Sequence, residues 1–443
     1  MTPPPHRQVR TRRLSIARRR RRTLAGGLAI VVVAVLVTVA TSSTAHPSAP
    51  LSARRAASSR AKPPTGQRVR TARPSHGGGA PTSALPFASA SGATMTAGPN
   101  LAPGSNPAVL PSDVLIADNY ASRLLIVNPA GTIVWQFPQP GDLAPGQTFK
   151  YPDDAFFTPN GRDIIATEEN DQVISIISIR QHRILWRYGT PGVPGSGPNQ
   201  VDNPDDAMQL PNGDVVFADI KNCSIVFVSP GAHVPLERIG LRDTHCYHNP
   251  PYRFGSPNGA FPMTNGNYLI TEINGDWADE MTPSGHVLWS THPPGVHYPS
   301  DTNEVSPGVY ITADYSNPGQ VVEFTKTGRL LWRYGPSSGP GMLNTPSLCI
   351  PIPTNGDILC NDDSNDRVVV IDPKTDTIVW QYGHTGVAGT APGYLHQPDG
   401  VDLAPPYSLL VRHGPTMGVP TGTCWPGNPP GTCTYGLAAT SAG

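Results

Sequence analysis

Acidic and amide side chains recur at the starts of short apolar segments, one or two residues after a proline. The four that we expect to converge are Asp154, Asp206, Asn258 and Asp301. Carboxylate and amide oxygens are the ligands that Ca²⁺ prefers, and an added imidazole would favour Zn²⁺ or a similar ion. The sequence therefore predicts a metal or substrate site at these positions.

Histidines supply a second candidate chemistry, because they lie in long Gly- and Pro-rich stretches and do not recur in register. The candidate ligands or general bases are His245, His248, His297 and His396. An imidazole titrates near neutral pH, so it can exchange protons with a substrate or bind a metal. The alternative is that each is a solvated loop side chain.

A further set of acids has a structural interpretation. An Asp or Glu ends the second apolar segment of each repeat, at Asp118, Glu168, Asp219, Glu272, Asp314 and Asp362. A residue that every repeat needs is expected to hold a turn through hydrogen bonds to the backbone. The acids of the first segments, including Asp154 and Asp206, have the same alternative because they also recur.

These residues belong to a repeat that begins at Asp113. A Trp that follows aliphatic residues marks the repeat at Trp135, Trp186, Trp289, Trp332 and Trp380. The long gap between Trp186 and Trp289 contains a sixth unit, ending at residues 238–240, that lacks the Trp, so the mean period is about fifty residues. Each unit has four short apolar segments separated by turn residues, including Asn-Gly pairs that favour tight hairpins. Six such units without a helical pattern predict an all-β fold, a six-bladed β-propeller. A seventh blade would need strands from the N-terminal linker.

The propeller interpretation brings the candidate residues together. Strands alternate in direction, so the loops before the first strands and after the second strands share one face around the channel. Residues 397–401 restart the unit, and we expect them to close the ring on the first blade, which has a short inner strand at residues 107–110. The tryptophans are expected to fill the spaces between blades.

Segments such as PDDAMQLPNGDVVFADIKNCSIVFV and IDPKTDTIVWQYG resemble the NHL and PQQ-like repeats of bacterial surface proteins, over residues 111–415. The resemblance implies the propeller fold and no single activity. Gluconolactonase-like propellers and amidating lyases with such blades use channel-mouth sites, which implies a metal-dependent hydrolase or lyase as an alternative. A PQQ cofactor is not expected, because quinone dehydrogenases use larger propellers and an adjacent cysteine pair. An arylsulfotransferase-like enzyme is less favoured, because it needs a channel histidine where these strands begin with Asp, Asn or Ser.

The six cysteines are expected to form disulfides, since an even number in an exported chain is typical of an oxidising compartment. The pairs that the strand pattern favours are Cys223–Cys246, Cys349–Cys360 and Cys424–Cys433. Metal ligation by cysteine is not expected, because no Cys-x-x-Cys pair occurs.

The N-terminal region is predicted to direct the chain to a membrane. Residues 1–22 are a basic cytoplasmic tail, and residues 23–44 are a signal-anchor or a signal peptide cleaved after Ala45, since residues 24–40 are apolar and uncharged. Residues 45–110 form a disordered linker, residues 111–415 the propeller, and residues 416–443 a tail with a disulfide loop. We therefore expect the propeller outside the cytoplasm, tethered to a bacterial cell membrane or secreted.

The charge distribution excludes one class of partner. The chain has 32 basic and 32 acidic residues, but no acid precedes Asp113 and half of the basic residues do, so the repeat region is acidic. An acidic surface repels phosphate, and nucleic acid is not expected as a partner. We predict a monomeric, membrane-tethered binding module for a protein, peptide or glycan, with the metal-dependent hydrolase or lyase as the alternative.

Overall fold

The computed structural model describes residues 96–232, 234–241 and 245–409. The predicted cytoplasmic tail, the apolar run at residues 24–40, most of the linker and the Cys424–Cys433 loop lie outside the described residues. Within the described ranges, no helix is both long enough and apolar enough to cross a membrane.

Runs of β-branched, leucine and aromatic residues form short antiparallel strands, because such side chains pack well on a buried pleated surface. In chain order the strands are β1 (Val114–Asp118), β2 (Arg123–Val127), β3 (Ile133–Phe137), β4 (Ala155–Phe157), β5 (Asp163–Glu168), β6 (Val173–Ser178), β7 (Arg183–Gly189), β8 (Pro204–Gln209), β9 (Val215–Asp219), β10 (Ser224–Val228), β11 (Glu237–Ile239), β12 (Pro257–Pro262), β13 (Tyr268–Glu272), β14 (Trp277–Met281), β15 (Val287–Thr291), β16 (Asn303–Ser306), β17 (Val309–Asp314), β18 (Gln320–Thr325), β19 (Leu330–Tyr334), β20 (Cys349–Pro351), β21 (Ile358–Asp362), β22 (Arg367–Asp372), β23 (Thr377–Gly383) and β24 (Pro398–Leu403). Short 3-10 helices lie at Pro107–Val109, Glu169–Asp171, Ile220–Asn222 and Asp363–Asn365.

The described strands form six four-stranded sheets, which confirms the six-bladed propeller. Blade 1 has the order β24-β1-β2-β3, and blades 2 to 6 are β4–β7, β8–β11, β12–β15, β16–β19 and β20–β23. The first strand of each blade lies innermost, at the channel, and the fourth lies outermost. Both faces of a blade are buried only when its neighbours are in place, so the ring stabilises what one sheet could not.

The last strand closes the ring, as predicted, because β24 pairs antiparallel with β1 and becomes the inner strand of blade 1. The short inner strand predicted at residues 107–110 is wrong. Pro107–Val109 instead form a 3-10 helix, in which Ala108 N–H donates to Asn106 Oδ1 at 3.1 Å. Pro107 has no N–H for a strand ladder, and β24 already occupies that edge of β1.

Residues just before this helix belong to the folded body. Leu101 is buried and forms a backbone bridge with Tyr382 of β23. Ala102 N–H donates to the Gln381 carbonyl at 3.1 Å. Residues 96–110, which the sequence pattern assigns to the linker, therefore cover the outer edge of blade 6, where they satisfy backbone groups that an edge strand would leave unpaired.

Tryptophans join neighbouring blades, as predicted. Trp135 of blade 1 is buried, and its indole N–H donates to the Ile179 carbonyl of blade 2 at 3.1 Å. Trp380 of blade 6 donates in the same way to the Pro129 carbonyl of blade 1, at 2.9 Å. These indoles fill the spaces between sheets while keeping their one polar group hydrogen-bonded.

Two of the three predicted disulfides lie among the described residues, and both are confirmed. Cys349 and Cys360 face each other across the β20–β21 hairpin. Cys223 follows the second strand of blade 3 and is bonded to Cys246 in the long loop before blade 4. The second disulfide therefore ties that loop to blade 3.

The acid at the end of each second strand holds the loop that leads into its blade. Asp118 accepts from the backbone N–H of His396 and from Arg123 Nε, both at 2.6 Å. Asp362 accepts from Asn344 N–H at 2.6 Å and from Arg367 Nε at 2.7 Å. All six acids are buried. Their repetition is therefore structural, as the sequence pattern indicates.

Candidate functional site

A cavity of about 450 Å³ opens at one end of the central channel. All six blades contribute to its walls. The lining residues are Asp153, Asp154, Glu169, Asp205, Ile220, Lys221, Ser256, Asn258, Ile273, Asn274, Tyr298, Ser300, Asp301, Tyr315, Ser347 and Asp399. Six of the seven charged residues in this lining are acidic, so the cavity favours positively charged groups.

Each inner strand, or the residues directly before it, supplies at least one polar side chain to the wall, from the position that follows a proline. These are Asp153, Asp205, Asn258, Ser300, Ser347 and Asp399, each directly after a proline. A proline is tolerated at the start of a strand because no ladder hydrogen bond is needed there. The repeated proline thus marks the point where each chain segment reaches the channel mouth.

The next residue along is an acid in three blades, a glycine in two and Leu348 in blade 6, and the glycines make room for acids of neighbouring blades. A Cβ atom on Gly400 would lie 2.8 Å from Asp154 Oδ1, and one on Gly259 would overlap Asp206 Oδ2. Asp206 itself has a φ of 45°, at an irregularity in the β8–β9 pairing. That left-handed conformation costs free energy in any residue with a side chain. The absence of side chains at Gly400 and Gly259 makes room for the carboxylates of Asp154 and Asp206, and the strained backbone of Asp206 positions its carboxylate.

Asp154 and Asp301 of the cavity wall form a carboxylate group with Asp206 beside them, with one oxygen from each lying within 4.8 Å of the others. Asp154 Oδ1, both oxygens of Asp206 and Asp301 Oδ2 are buried and accept no hydrogen bond. Asp153 and Asp205 form a second such group that shares Asp154. A buried carboxylate oxygen without a donor is costly, so these oxygens call for a proton or a cation.

The fourth predicted ligand, Asn258, has another part in the cluster. Its Nδ2 donates to Asp301 Oδ1 at 3.0 Å and to the Ser300 hydroxyl at 3.3 Å. The amide therefore orients the Asp301 carboxylate. The structure thus brings the four predicted residues together, with three carboxylates as candidate ligands and one amide that positions them.

Burial and mutual repulsion raise the pKa of these acids. Burial raises the pKa of Asp154 and Asp206 well above the usual range, and the charge of Asp301 raises both further. Burial also raises the pKa of Asp301 to about 6, although the hydrogen bond from Asn258 acts in the opposite direction. A bound divalent cation would favour the ionised carboxylates and so lower these pKa values.

The rim of the cavity carries residues that the sequence pattern did not single out. Glu169, Lys221 and Tyr315 come shortly after the second-strand acids, and Tyr298 lies just before the inner strand of blade 5. The rings of Tyr298 and Tyr315 lie 5.4 Å apart. The expectation that loops after second strands reach this face could have identified three of the four. Lys221 is the one basic side chain of the described lining.

The structure separates the four predicted histidines from the carboxylate cluster, because none of them lines the cavity. His245 and His297 are exposed. His396 packs against the ring of Tyr120, with the ring centroids 5.3 Å apart. His248 faces a different pair of acids in blade 4.

No protein-family model matches the chain, and a search of curated proteins gives no match. Solved structures show likenesses of the fold. A protein of unknown function from Bacteroides caccae is 19% identical with a TM-score of 0.46, over 65% of this chain and 97% of its own. A streptogramin B lyase is 14% identical with a TM-score of 0.43, over 66% of this chain and 86% of its own. The WD40 β-propeller domain of Doa1 is 13% identical with a TM-score of 0.39, over 60% of this chain and 77% of its own. These likenesses are of the fold, and the assignment to NHL or PQQ-like repeats stays a prediction.

Proposed function

We propose that this protein is an extracytoplasmic binding module whose channel mouth holds a Ca²⁺-class cation and uses it to recognise a glycan. The observation that carries the proposal is the Asp154, Asp206 and Asp301 group, whose buried carboxylate oxygens have no hydrogen-bond donors. Three converging carboxylates that form no hydrogen bonds through these oxygens gain most from a cation.

The donor set favours a hard cation. All candidate ligand atoms at the channel mouth are carboxylate oxygens, and no imidazole or thiolate joins them in the described lining. Ca²⁺ takes six to eight oxygen ligands, more than the three oxygens that one atom from each aspartate supplies, so a bound ligand could provide the remaining oxygens. Vicinal hydroxyl groups of a sugar are suited to that task.

The rim supports a sugar rather than a flat apolar ligand. Tyr298 and Tyr315 present aromatic rings beside the acids, and Lys221 offers a donor. Aromatic faces pack against the apolar face of a sugar ring while neighbouring polar groups bind its hydroxyls. A protein or peptide ligand would engage the same face through its own polar groups.

The location is part of the proposal. The Cys223–Cys246 and Cys349–Cys360 bonds support an oxidising compartment. The predicted membrane segment at residues 24–40 would then hold a monomeric propeller on the outer face of a bacterial cell membrane.

A metal-dependent hydrolase or lyase is the second candidate, and one observation favours it. Burial and nearby carboxylates raise the pKa of Asp153 and Asp205 well above the usual range, and both line the same cavity. A carboxyl group that stays protonated near neutral pH can act as a general acid beside a metal.

The test is titration of the full-length, EDTA-treated protein with Ca²⁺ in a calorimeter, and with Tb³⁺, whose emission Tyr298 and Tyr315 would sensitise. We expect saturable binding, loss of that binding in Asp206→Asn, and unchanged binding in the matched control Asp372→Asn on blade 6. A glycan array probed with and without Ca²⁺ then tests recognition. Absence of Ca²⁺ binding, or equal binding by both variants, overturns the proposal. Turnover of an aryl ester or lactone that is lost in Asp153→Asn would select the enzyme instead.

A further inference from the structure

Blade 4 departs from the way in which the other blades neutralise their second-strand acids. In blades 1, 2, 3 and 6 an arginine forms an ion pair with the acid, at N–O distances of 2.6 to 2.9 Å; these arginines are Arg123, Arg187, Arg238 and Arg367. Blade 5 uses the amide of Gln320, which donates to Asp314 Oδ2 at 2.9 Å. In blade 4, no arginine or lysine among the described residues forms an ion pair with Glu272.

The strand register shows what replaces the arginine. In blade 2, Ser175 lies opposite Arg187, and both bind Glu168. The corresponding pair in blade 4 is Asp279 opposite Ser290. A second acid therefore stands where blade 2 has a serine, and a serine stands where it has the cation. The buried carboxylates of Glu272 and Asp279 therefore lie close together, without an arginine between them.

A histidine from the preceding loop completes the group. His248 Nδ1 lies 3.0 Å from Glu272 Oε1 and 3.8 Å from Asp279 Oδ2, and all three ligand atoms lie within 4.8 Å of one another. The Asp279 side chain is fully buried, and neither of its oxygens accepts a hydrogen bond. Buried carboxylate oxygens that accept no hydrogen bond, with the His248 imidazole 3.8 Å away, point to a ligand independently of the clustering.

The imidazole is held in place from several sides. Its ring stacks on Trp277, with centroids 4.1 Å apart and planes 14° apart. The loop that carries it is tied to blade 3 by the Cys223–Cys246 bond, two residues earlier. Asn274 Nδ2 also donates to the Cys246 carbonyl at 3.1 Å. A preorganised ring loses little freedom when it binds a metal, which favours a metal site.

We propose that His248, Glu272 and Asp279 bind a Zn²⁺-class transition metal, at a second site separate from the channel mouth. One imidazole nitrogen with two carboxylate oxygens is a ligand set that Zn²⁺ accepts, with three protein ligands and a fourth position for water. The imidazole separates this site from the all-oxygen cluster of the channel. His248 is the one ligand that reaches solvent, so the metal would enter beside it.

Co²⁺ reports on this site, because its visible absorption in a nitrogen- and oxygen-ligated site differs from that of the hydrated ion. We expect one equivalent of Co²⁺, displaced by Zn²⁺, to bind the EDTA-treated full-length protein. His248→Ala should weaken binding by about 100-fold or more, since even groups that only support a metal ligand are worth about 10–100-fold. The matched control is His292→Ala, because His292 packs on the same Trp277 but contacts the Asp276 carbonyl.

A double variant that should keep the fold intact tests the metal site separately from protein stability. Asp279→Ser with Ser290→Arg rebuilds the arrangement of blade 2, and it should fold, match the wild-type melting temperature and bind no Co²⁺. Unchanged Co²⁺ binding in this variant or in His248→Ala overturns the proposal. So does wild-type protein that binds no Co²⁺, in which case His248 only forms its 3.0 Å contact with Glu272. Tb³⁺ emission from the channel mouth should be the same in all of these variants, so failure here is distinguishable from failure of the proposed function.

Discussion

Replacing Asp301 by asparagine should stabilise the metal-free protein at neutral pH. Burial raises the pKa of Asp301 from 3.8 to about 6. That shift is about two units, and each unit corresponds to about 1.36 kcal/mol. Keeping this carboxylate ionised therefore lowers the free energy of unfolding by roughly 3 kcal/mol. Asparagine has nearly the same shape and can still accept the 3.0 Å hydrogen bond from Asn258, so the change removes charge with little change in packing.

The stability that the asparagine variant gains over the wild type should increase as the pH rises. The folded protein binds the Asp301 proton more tightly than the unfolded chain does, because the folded pKa is the higher one. Wild-type stability therefore falls as the pH rises from about 4 to about 6, and this contribution stays constant at higher pH. Below about pH 4 both states carry the proton, so the asparagine variant should show no advantage there.

Urea unfolding of the full-length protein in EDTA, at about pH 7.5 and about pH 4, measures this difference. Asp113→Asn is the control, because burial also raises the pKa of Asp113 to about 6, whereas Asp113 does not line the cavity. Ca²⁺ at about 100 times its Kd should stabilise the wild type and the control by about 2.7 kcal/mol and the Asp301 variant much less. An Asp301→Asn protein less stable than wild type in EDTA at neutral pH would refute this reasoning, as would an equal Ca²⁺ effect on all three proteins.

Three further changes test the scaffold by thermal and urea unfolding. Arg367→Ala should cost about 3–5 kcal/mol, because it leaves the buried Asp362 carboxylate without its cation; a cost below about 1 kcal/mol would contradict this. Trp380→Phe should cost about 1–3 kcal/mol, because the buried Pro129 carbonyl loses its 2.9 Å hydrogen bond. Replacing both cysteines of the blade 6 disulfide by serine should cost about 2–4 kcal/mol, whereas wild type with a reductant should approach the same value.

Much of the fold could be predicted from the sequence because each blade repeats the same pattern of residues. The Trp at the end of a unit, the proline before the inner strand and the acid after the second strand each recur in register. These recurring residues determine the order of the strands and the end of the channel at which each strand begins. Residues from different blades could therefore be assigned to one channel mouth. Asp154, Asp206 and Asp301 were found in this way.

What the sequence did not reveal depends on contacts between blades and on the course of loops. Gly400 makes room for Asp154 only because ring closure sets blade 1 beside blade 2, although the two residues are far apart in the chain. The histidines lie in loops without a periodic pattern, so nothing in their spacing showed that His248 would face blade 4 and His396 would face Tyr120. The strand register was needed to show that Asp279 and Ser290 of blade 4 occupy the positions of Ser175 and Arg187 in blade 2.

The pairing of β24 with β1 has a consequence for biosynthesis. During synthesis β1 is made early, and its partner at Pro398–Leu403 emerges about 280 residues later, a separation that makes this contact slow to form. Until then blade 1 is a three-stranded sheet with an unpaired edge, which invites pairing with other chains. A ribosome that stalls after blade 6 but before β24 would release a nearly complete propeller with the edge of β1 unpaired. The edge of the first blade is therefore protected only when the last strand of the propeller has been made.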